Sequence, residues 1–269
     1  MNYFDFIKKN WRFLCFGIVL NFFSSTGQTF YISIFGGEFR RDFNLSEGDF
    51  GFIYMIATLF SAGSLIWLGR LIDRMDLRFY TLLICLGSIL ACFFTSSVTS
   101  AFTLTLAFYL LRLMGQGLMN HAAVTSMGRY FTMQRGTAIG IITLGSTLGL
   151  AVYPLVGVTL IKLYGWSNSW LILAVIYSII LIPLILWLLK GQKFRHDNYL
   201  IERDKKISST VSNNHYSVRA MLTEWRFYLI TPALLASPFL LTGLLFHQVS
   251  IVESKNWSIS IFASGFIGL

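Results

Sequence analysis

The sequence predicts an all-α membrane protein, and three observations support this fold class. Of the 269 residues, 55% are hydrophobic and 12% are charged, which is about half the charged fraction of an ordinary soluble domain. The apolar residues come in runs of about twenty, the length of helix that crosses roughly 30 Å of hydrocarbon. The charged residues fall mostly between these runs, as expected for the loops at a membrane surface.

The apolar runs predict seven complete membrane helices. They are helix 1 at about 14–35, helix 2 at 50–68, helix 3 at 79–98, helix 4 at about 102–126, helix 5 at 137–161, helix 6 at 169–189 and helix 7 at 227–250. An eighth apolar run covers 259–269, which is too short to span a bilayer as a helix. We therefore expect helix 8 to be truncated in this sequence.

The distribution of lysine and arginine predicts the orientation. With a cytoplasmic N-terminus, the inner segments hold sixteen of these 21 residues, the outer segments hold four, and Arg112 lies inside helix 4. We expect a bacterial inner (plasma) membrane protein with its N-terminus in the cytoplasm. The net charge of +9 does not indicate a nucleic-acid partner, because the bases lie in separate loops rather than on one soluble face.

One long polar segment divides the chain. We predict a six-helix bundle at 1–189, a cytoplasmic linker at 190–226 and the incomplete start of a second bundle at 227–269. The middle of the linker has the composition of flexible chain and includes Ser208, Ser209, Ser212, Asn213 and Asn214. Its last part, 215–226, is either a short helix on the membrane surface or an ordinary solvated connector.

The loop between helices 2 and 3 carries a recognisable motif. It matches the pattern G-x-x-x-D-R/K-x-G-R/K-R/K at Gly69, Asp73, Arg74 and Arg78. Asp76 replaces the second glycine of the pattern, and Leu77 replaces a base. With six helices, a linker and further helices, the chain resembles the major facilitator superfamily (MFS) of transporters, which implies an MFS-type bundle of two inverted three-helix repeats.

In that family this loop is a latch at the cytoplasmic gate, whose aspartate and bases pair and separate as the two halves of the carrier rock. The alternative is a loop that only orients the helices, with Asp73 or Asp76 capping helix 3. Further matches to the family are Arg112 with Gly115, Gln116 and Gly117, then Arg129-Tyr130-Phe131 and the run Arg135-Gly136-Thr137-Ala138-Ile139-Gly140. Of these, Arg129-Tyr130-Phe131 and Arg135-Gly136, together with Phe246-His247-Gln248, resemble the branch of monocarboxylate and oxalate–formate carriers. The resemblance adds Arg129 and Arg135 to the gating residues.

Helix 5 contains Gly145, Gly149, Pro154 and Gly157. They resemble the glycine-rich helix 5 of the family's antiporters, but Leu150 follows Gly149 where that pattern has proline, so antiport does not follow. Gly145 and Gly149 form a G-x-x-x-G, which favours close approach of another helix. Pro154 is expected to kink the helix.

The resemblance implies a substrate cavity lined by helices 1, 4 and 7. At 100° per residue, polar side chains share one face of helix 1 and one face of helix 4. The predicted cavity residues are Asn21, Ser25, Gln28, Arg112, Gln116, Asn120, His247 and Gln248. His247 can change its charge near physiological pH, although an interfacial pair with Gln248 is the alternative. His121 is expected about 180° from Arg112, in a buried hydrogen-bonded role.

Arg112 is the most informative single residue. A charge at the bilayer centre costs roughly 3 kcal/mol even on the lenient insertion scale, and no acidic residue lies within predicted helices 1 to 6. It therefore either binds an anionic substrate or is neutralised by backbone carbonyls and by amide oxygens such as those of Gln28 or Gln116.

The sequence contains no catalytic constellation and no set of metal ligands, so we expect no enzyme, cofactor or metal. We predict a secondary transporter that moves a small organic solute, expected to be an anion, across the lipid bilayer by alternating access. A coupled proton or counter-anion is a possible second partner, and transport would need the missing C-terminal half or a second copy. The alternative is a non-transporting, truncated relative that acts as a membrane binding or sensor module.

Overall fold

The computed structural model of the protein describes residues 3–131, 133–209 and 218–258, together with residues 261, 264 and 265. These residues form helices and no strand, which confirms the all-α prediction. Five helical runs are long and apolar enough to cross a membrane, and a bent pair, Tyr3–Gly27 and Thr29–Asp42, makes a sixth. The chain is therefore an integral, multi-pass membrane protein.

The membrane helices follow the predicted order with different bounds. Helix 1 is Tyr3–Phe23 continued by Thr29–Ile32 and Gly36–Asp42, helix 2 is Glu47–Leu68, helix 3 is Leu77–Ser96, helix 4 is Ala101–Tyr130, helices 5 and 6 share Arg135–Leu189, and helix 7 is Trp225–Phe246. Three shorter helices follow helix 6 or helix 7: Lys193–Ser209, Val218–Thr223 and Gln248–Ser254.

Helix 1 is broken, where the sequence predicted a continuous helix. A 3-10 turn, Ser24–Gly27, ends at Gln28, whose ψ of 150° is extended. The break lies where helix 4 crosses: a Cβ added at Gly27 would be 2.2 Å from the carbonyl oxygen of Leu111 and 2.6 Å from the backbone nitrogen of Gln116. Helix 1 is therefore not a regular helix between residues 21 and 28. The rotation of 100° per residue that placed Asn21, Ser25 and Gln28 on one face does not apply across the break.

Helices 5 and 6 are joined without a loop, at Gly165. This residue has φ 74° and ψ 168° inside the otherwise helical run Arg135–Ile176. Positive φ is accessible to glycine without the steric penalty that other residues have. Helices 5 and 6 are therefore two helices that meet at a kink at Gly165.

Helix 7 ends earlier than predicted. His247 leaves the helical conformation, with φ −89° and ψ 9°, and the separate helix Gln248–Ser254 follows it. In the linker, Lys193–Ser209 is helical through Ser208 and Ser209, which composition had assigned to flexible chain. Residues 212–214 and most of the predicted helix 8 lie outside the described residues. The domain bounds at 189 and 226 stay a prediction.

Helix 5 packs closely against helix 1. A Cβ added at Gly145 would lie 2.1 Å from the carbonyl oxygen of Ile18, and one added at Gly149 would lie 2.0 Å from the hydroxyl of Ser25. The two helices therefore approach at the G-x-x-x-G, where only glycine fits.

The contact continues along both helices. Asn21 donates a hydrogen bond from Nδ2 to the carbonyl oxygen of Ile142 at 2.9 Å. Further along, a Cβ at Gly157 would lie 2.9 Å from the ring of Tyr31, and Pro154 is buried in the same stretch of helix 5. Helix 5 thus packs on both arms of the broken helix 1.

We expect Gly145→Ala to destabilise the protein by about 1–3 kcal/mol, because the new methyl group meets a backbone carbonyl that cannot move away without shifting helix 1. Gly140→Ala is the matched control, since a Cβ at Gly140 in the same helix meets nothing within 4 Å. Thermal unfolding in detergent measures both. Equal unfolding temperatures for the two variants would contradict the close contact.

Candidate functional site

A cavity of about 410 Å³ lies between helices 2 and 4. Its lining mixes one guanidinium, one imidazole, amides, hydroxyls and a few apolar side chains. The residues are Thr58, Ser61, Ala62 and Leu65 of helix 2, with Arg112, Gln116, Gly117, Asn120, His121, Val124 and Thr125 of helix 4. The volume and the mixed lining suit a small organic molecule.

Arg112 is held at this cavity by a backbone carbonyl group, a hydroxyl group and an aromatic ring. Its side chain is buried, with 9% of the residue exposed. Nη1 lies 3.5 Å from the carbonyl oxygen of Gly27 and 3.3 Å from Oγ1 of Thr29, donating to both. The guanidinium carbon lies 5.1 Å from the centre of the Tyr54 ring. In the described part of the chain no carboxylate forms an ion pair with Arg112, so its charge is not neutralised by an acid.

Three polar atoms at the cavity lack a hydrogen-bond partner among the described residues. They are Oγ1 of Thr58, Nε of Arg112 and Oε1 of Gln116, and all three are buried. Buried polar atoms nearly always have a partner in a folded protein, either protein or water. Thr58, Arg112 and Gln116 are therefore the lining residues with unused hydrogen-bonding capacity for a ligand.

Helix 4 changes its geometry at this point. Residues Arg112–Met119 form a π-helical segment, in which each hydrogen bond spans five residues instead of four. Gly115 allows helix 1 to come close here, because a Cβ would lie 2.9 Å from the Cα atom of Gly27. The wider turn means that residues beyond the segment do not follow the 100° rotation of a regular helix.

His121 lines the same cavity as Arg112, so the prediction that the two lie on opposite sides of helix 4 is wrong. Its Nε2 lies 3.1 Å from the carbonyl oxygen of Gly69, and its Nδ1 lies 3.4 Å from Oγ1 of Thr125. The π-helical segment between Arg112 and His121 explains the error. The glycines at positions 115 and 117 were the sequence signal that this helix is irregular.

The predicted cavity residues of helix 1 are not among those that line this cavity. Asn21 is buried and accepts a hydrogen bond at 3.3 Å from Nδ2 of the lining residue Asn120. Ser25 is buried against Gly149, and Gln28 lies at the break of helix 1. Gln28 contributes no described hydrogen bond to Arg112, whose two acceptors belong instead to residues 27 and 29.

The two cavity residues predicted in helix 7, His247 and Gln248, lie away from the 410 Å³ cavity, at the end of the bundle where helix 7 ends. Gln248 is buried, and its Nε2 donates to the carbonyl oxygen of Phe30 and to Oγ of Ser33, both at 2.7 Å. Ser33 in turn donates to the carbonyl oxygen of Leu245 at 2.8 Å. His247 is exposed, and neither His247 nor Gln248 lines the 410 Å³ cavity. Gln248 therefore holds the end of helix 7 against helix 1.

Charged residues extend the contact that Gln248 makes between the chain after helix 7 and helix 1. We call the whole set of contacts the outer network. Arg40 pairs with Glu47 at 2.8 Å and lies 3.9 Å from Glu253. Ser250 donates to Oε1 of Glu47 at 2.7 Å. The outer network, Ser33, Arg40, Glu47, Gln248, Ser250 and Glu253, thus joins the chain after helix 7 to helices 1 and 2.

The loop at 69–78 is tied to helix 4 by an ion pair between Asp73 and Arg129. The Arg129 side chain is 7% exposed. It also donates from Nη1 to the carbonyl oxygen of Ile72 at 2.9 Å, and its guanidinium lies 5.0 Å from the centre of the Tyr199 ring. Arg129 therefore connects helix 4 to the loop and to the linker helix at once.

The other charged residues of the motif have separate roles. Asp76 caps helix 3 by accepting hydrogen bonds from the backbone nitrogens of Arg78 and Phe79, at 2.9 and 3.3 Å. The cap is thus Asp76, and Asp73 is the residue of the ion pair. Arg74 and Arg135 are exposed, and a latch role for them stays a prediction.

The linker helix Lys193–Ser209 packs against the bundle, a contact that sequence reasoning missed. Arg195 donates to Oδ1 of Asn10 at 2.7 Å, and its guanidinium lies 5.0 Å from the Phe13 ring and 5.2 Å from the Phe131 ring. Burial lowers the pKa of Arg195. The linker therefore begins as an anchored element and not as a free connector.

A second cavity, of about 440 Å³, lies under the start of the linker helix and is lined by Asp76, Leu77, Arg78, Tyr130, Leu189, Gly191, Gln192, Lys193 and His196. This cavity is slightly larger than the one at Arg112, but its lining contains the acidic residue Asp76 as well as the basic residues Arg78 and Lys193. None of the buried unpartnered atoms among the described residues belongs to its lining. The cavity at Arg112 is therefore the better candidate for a ligand site.

The sequence profile of the Major Facilitator Superfamily matches residues 14–269, which is nearly the whole chain. The chain therefore belongs to the Major Facilitator Superfamily, whose members are membrane transporters. A segment of 59 residues is 42% identical to monocarboxylate transporter 9 of the chicken, Gallus gallus. That match covers 22% of this chain and 12% of the chicken protein, so the chain is matched to only a small part of this relative.

We expect Arg129→Ala to destabilise the protein by roughly 1–3 kcal/mol, because it removes a buried, charged hydrogen-bond donor together with the ion pair and the Tyr199 contact. Asp73→Asn should cost less than about 1 kcal/mol, since Asp73 is exposed and Arg129 keeps its other two contacts. Thermal unfolding compares the two, with exposed Arg74→Ala as the control. An Asp73→Asn effect as large as that of Arg129→Ala would contradict this assignment.

Proposed function

We propose that this protein is a secondary transporter of small organic anions, and that its substrates are monocarboxylates. The observation that supports an anion is Arg112, a buried cation at a cavity with no acidic partner in the described part of the chain. Family membership supports transport, since members of the superfamily move small solutes.

A carboxylate suits the unused hydrogen bonding of Arg112. Guanidinium and carboxylate groups form short, charge-assisted hydrogen bonds, and Nε of Arg112 has no described partner. Bringing an anion to this cation offsets the energy of holding an isolated charge among apolar helices. An anion therefore gains more at this cavity than a neutral or cationic solute.

The number of charges favours one carboxylate. Arg112 is the one arginine or lysine in the lining of the cavity, so a dicarboxylate would leave a second negative charge buried without a fixed cation. The apolar side chains Ala62, Leu65 and Val124 suit a short organic tail. The partial match to chicken monocarboxylate transporter 9 supports the same substrate class.

Alternating access requires that the two ends of the cavity open in turn. The outer network holds the chain after helix 7 against helices 1 and 2, and we propose that this conformation is closed at that end. With the predicted cytoplasmic N-terminus, the closed end faces outward and the ion pair of Asp73 and Arg129 lies at the inner face. Opening outward would then break the contacts of Arg40 with Glu47 and Glu253.

We expect Arg112→Ala to reduce uptake of labelled lactate and pyruvate into vesicles by about tenfold or more, because a charged hydrogen bond is worth roughly 1.5–3 kcal/mol. Labelled succinate, a dicarboxylate, should be a poor substrate of the unaltered protein. Arg41→Ala is the matched control, since Arg41 is an exposed arginine that pairs with Glu38 far from the cavity.

The Arg112→Lys variant distinguishes the effect of the positive charge from the effect of the guanidinium geometry, because lysine keeps the charge but lacks the planar arrangement of several N–H donors. We expect intermediate uptake in this variant. Size-exclusion chromatography and thermal unfolding establish that each variant is folded. Uptake by folded Arg112→Ala equal to that of Arg41→Ala would remove the argument for an organic anion.

A further inference from the structure

We propose that the 440 Å³ cavity under the linker helix binds the phosphate group of an anionic phospholipid, and that the acyl chains of this lipid lie along helix 3. The lining of this cavity shares no residue with that of the 410 Å³ cavity at Arg112. The lipid is a partner of the protein in its membrane and not the transported solute, so the site does not depend on the proposed function.

The cavity lies where three membrane helices end at the linker. Helix 3 begins at Leu77, helix 4 ends at Tyr130 and helix 6 ends at Leu189, and all three residues line the cavity. The ends of membrane-spanning helices lie close to the lipid headgroups. With the predicted cytoplasmic N-terminus, this surface is the cytoplasmic leaflet, whose anionic lipids attract basic residues near the membrane.

The linker helix is fixed in position beside this cavity. Gly191 changes the direction of the chain after helix 6 with a φ of 79°, a conformation that glycine adopts without strain. The helix Lys193–Ser209 begins two residues later, and Arg195 anchors it through the hydrogen bond to Asn10 at 2.7 Å. The anchored helix therefore holds its first residue, Lys193, in the lining of the cavity.

Arg78 and Lys193 give the cavity an excess of positive charge. Both residues are exposed, and in the described part of the chain neither forms an ion pair. The carboxylate of Asp76, which shares the lining, already accepts hydrogen bonds from the backbone nitrogens of Arg78 and Phe79. It lies at the N-terminus of helix 3, where the helix dipole offsets a negative charge. The two cations therefore remain available for an anionic ligand.

The neutral polar groups of the lining add hydrogen-bond donors. Oε1 of Gln192 accepts from Nε of Arg195 at 2.7 Å, which leaves the amide hydrogens on Nε2 for a ligand. The Tyr130 hydroxyl lies 3.1 Å from Nδ1 of His196. When the hydroxyl donates this bond, Nε2 of the neutral ring carries the hydrogen. With a guanidinium and an ammonium group, these donors suit the oxygens of a phosphate.

An exposed apolar stripe on helix 3 begins beside the cavity and favours a lipid over a soluble phosphate. Phe79 directly follows Arg78, and the stripe continues with a rise of about 21 Å along the helix, which is more than the roughly 15 Å of hydrocarbon in one leaflet. At 100° per residue its members lie within about 80° of one another. They are between 42% and 64% exposed: Phe79, Leu83, Leu86, Leu90 and Phe93.

The first test measures the binding of fluorescent phosphatidylglycerol, with fluorescent phosphatidylcholine as the comparison, to purified protein in a neutral detergent. We expect the double variant Arg78→Gln with Lys193→Gln to bind phosphatidylglycerol about tenfold or more weakly, because each base near a membrane surface contributes to the attraction. The binding of phosphatidylcholine should not change. Lys8→Gln with Lys9→Gln is the matched control, since it removes the same charge from exposed positions on helix 1 and should keep the affinity.

A second measurement distinguishes a phospholipid from a soluble phosphate. Inorganic phosphate and glycerol 3-phosphate at millimolar concentration should displace little of the fluorescent phosphatidylglycerol, because they have no chains to cover the apolar stripe. Phosphatidylglycerol with a photoreactive group on an acyl chain should label residues 79–93. We expect this labelling to decrease about tenfold in the Arg78→Gln, Lys193→Gln variant.

Three results would overturn the lipid site. The first is equal affinity for the two phospholipids, or an equal loss of affinity in the Lys8→Gln, Lys9→Gln control. The second is displacement by inorganic phosphate or glycerol 3-phosphate as effective as that by unlabelled phosphatidylglycerol. The third is labelling of helix 3 that is the same with and without Arg78 and Lys193. None of these measurements uses solute uptake, so their failure leaves the proposed function standing.

Discussion

The close crossing of helices 1 and 4 is the contact on which the rest of the candidate site depends. Gly27 and Gly115 bring the two backbones together, and a side chain on either would overlap the opposite backbone. Helix 1 is broken at this crossing, and helix 4 adopts its π-helical segment there. The break exposes the carbonyl oxygen of Gly27 to the guanidinium of Arg112. Two glycines thus make room for a buried cation and provide one of its acceptors.

This crossing explains how a charged side chain is tolerated inside the bundle without an acidic partner among the described residues. A carboxylate partner would neutralise Arg112 permanently, whereas a carbonyl oxygen, a hydroxyl and the Tyr54 ring stabilise it only in part. Under the proposed function, this partial compensation leaves an attraction for an anionic ligand. The same irregular segment places His121 in the lining of the cavity, so the positions of both side chains follow from one distortion of helix 4.

The two ends of the bundle are held by different kinds of contact. At the end of helix 7, the contacts of Gln248 with Phe30, of Glu253 with Arg40 and of Ser250 with Glu47 join chain segments that are about 200 residues apart in sequence. At the opposite end, Arg129 and Arg195 fix the loop at 69–78 and the linker helix through ion pairing, hydrogen bonds and aromatic contacts. Such charged contacts can exchange partners at a lower cost than apolar packing, because water solvates the separated groups. Both ends therefore suit a protein that changes shape.

The sequence by itself determined the fold class, the order of the membrane helices and the presence of a buried charge at Arg112, because helix length and the position of a charge within an apolar run are read directly from the sequence. It also located the close approach at Gly145 and Gly149, since small residues spaced four apart lie on one face of any regular helix. Tertiary structure alone decided which polar residues meet. Asn21, Ser25 and Gln28 do not share one face of a regular helix, and His121 lines the same cavity as Arg112. The reason is that helix 4 packs so closely on helix 1 that neither helix keeps a regular rotation per residue.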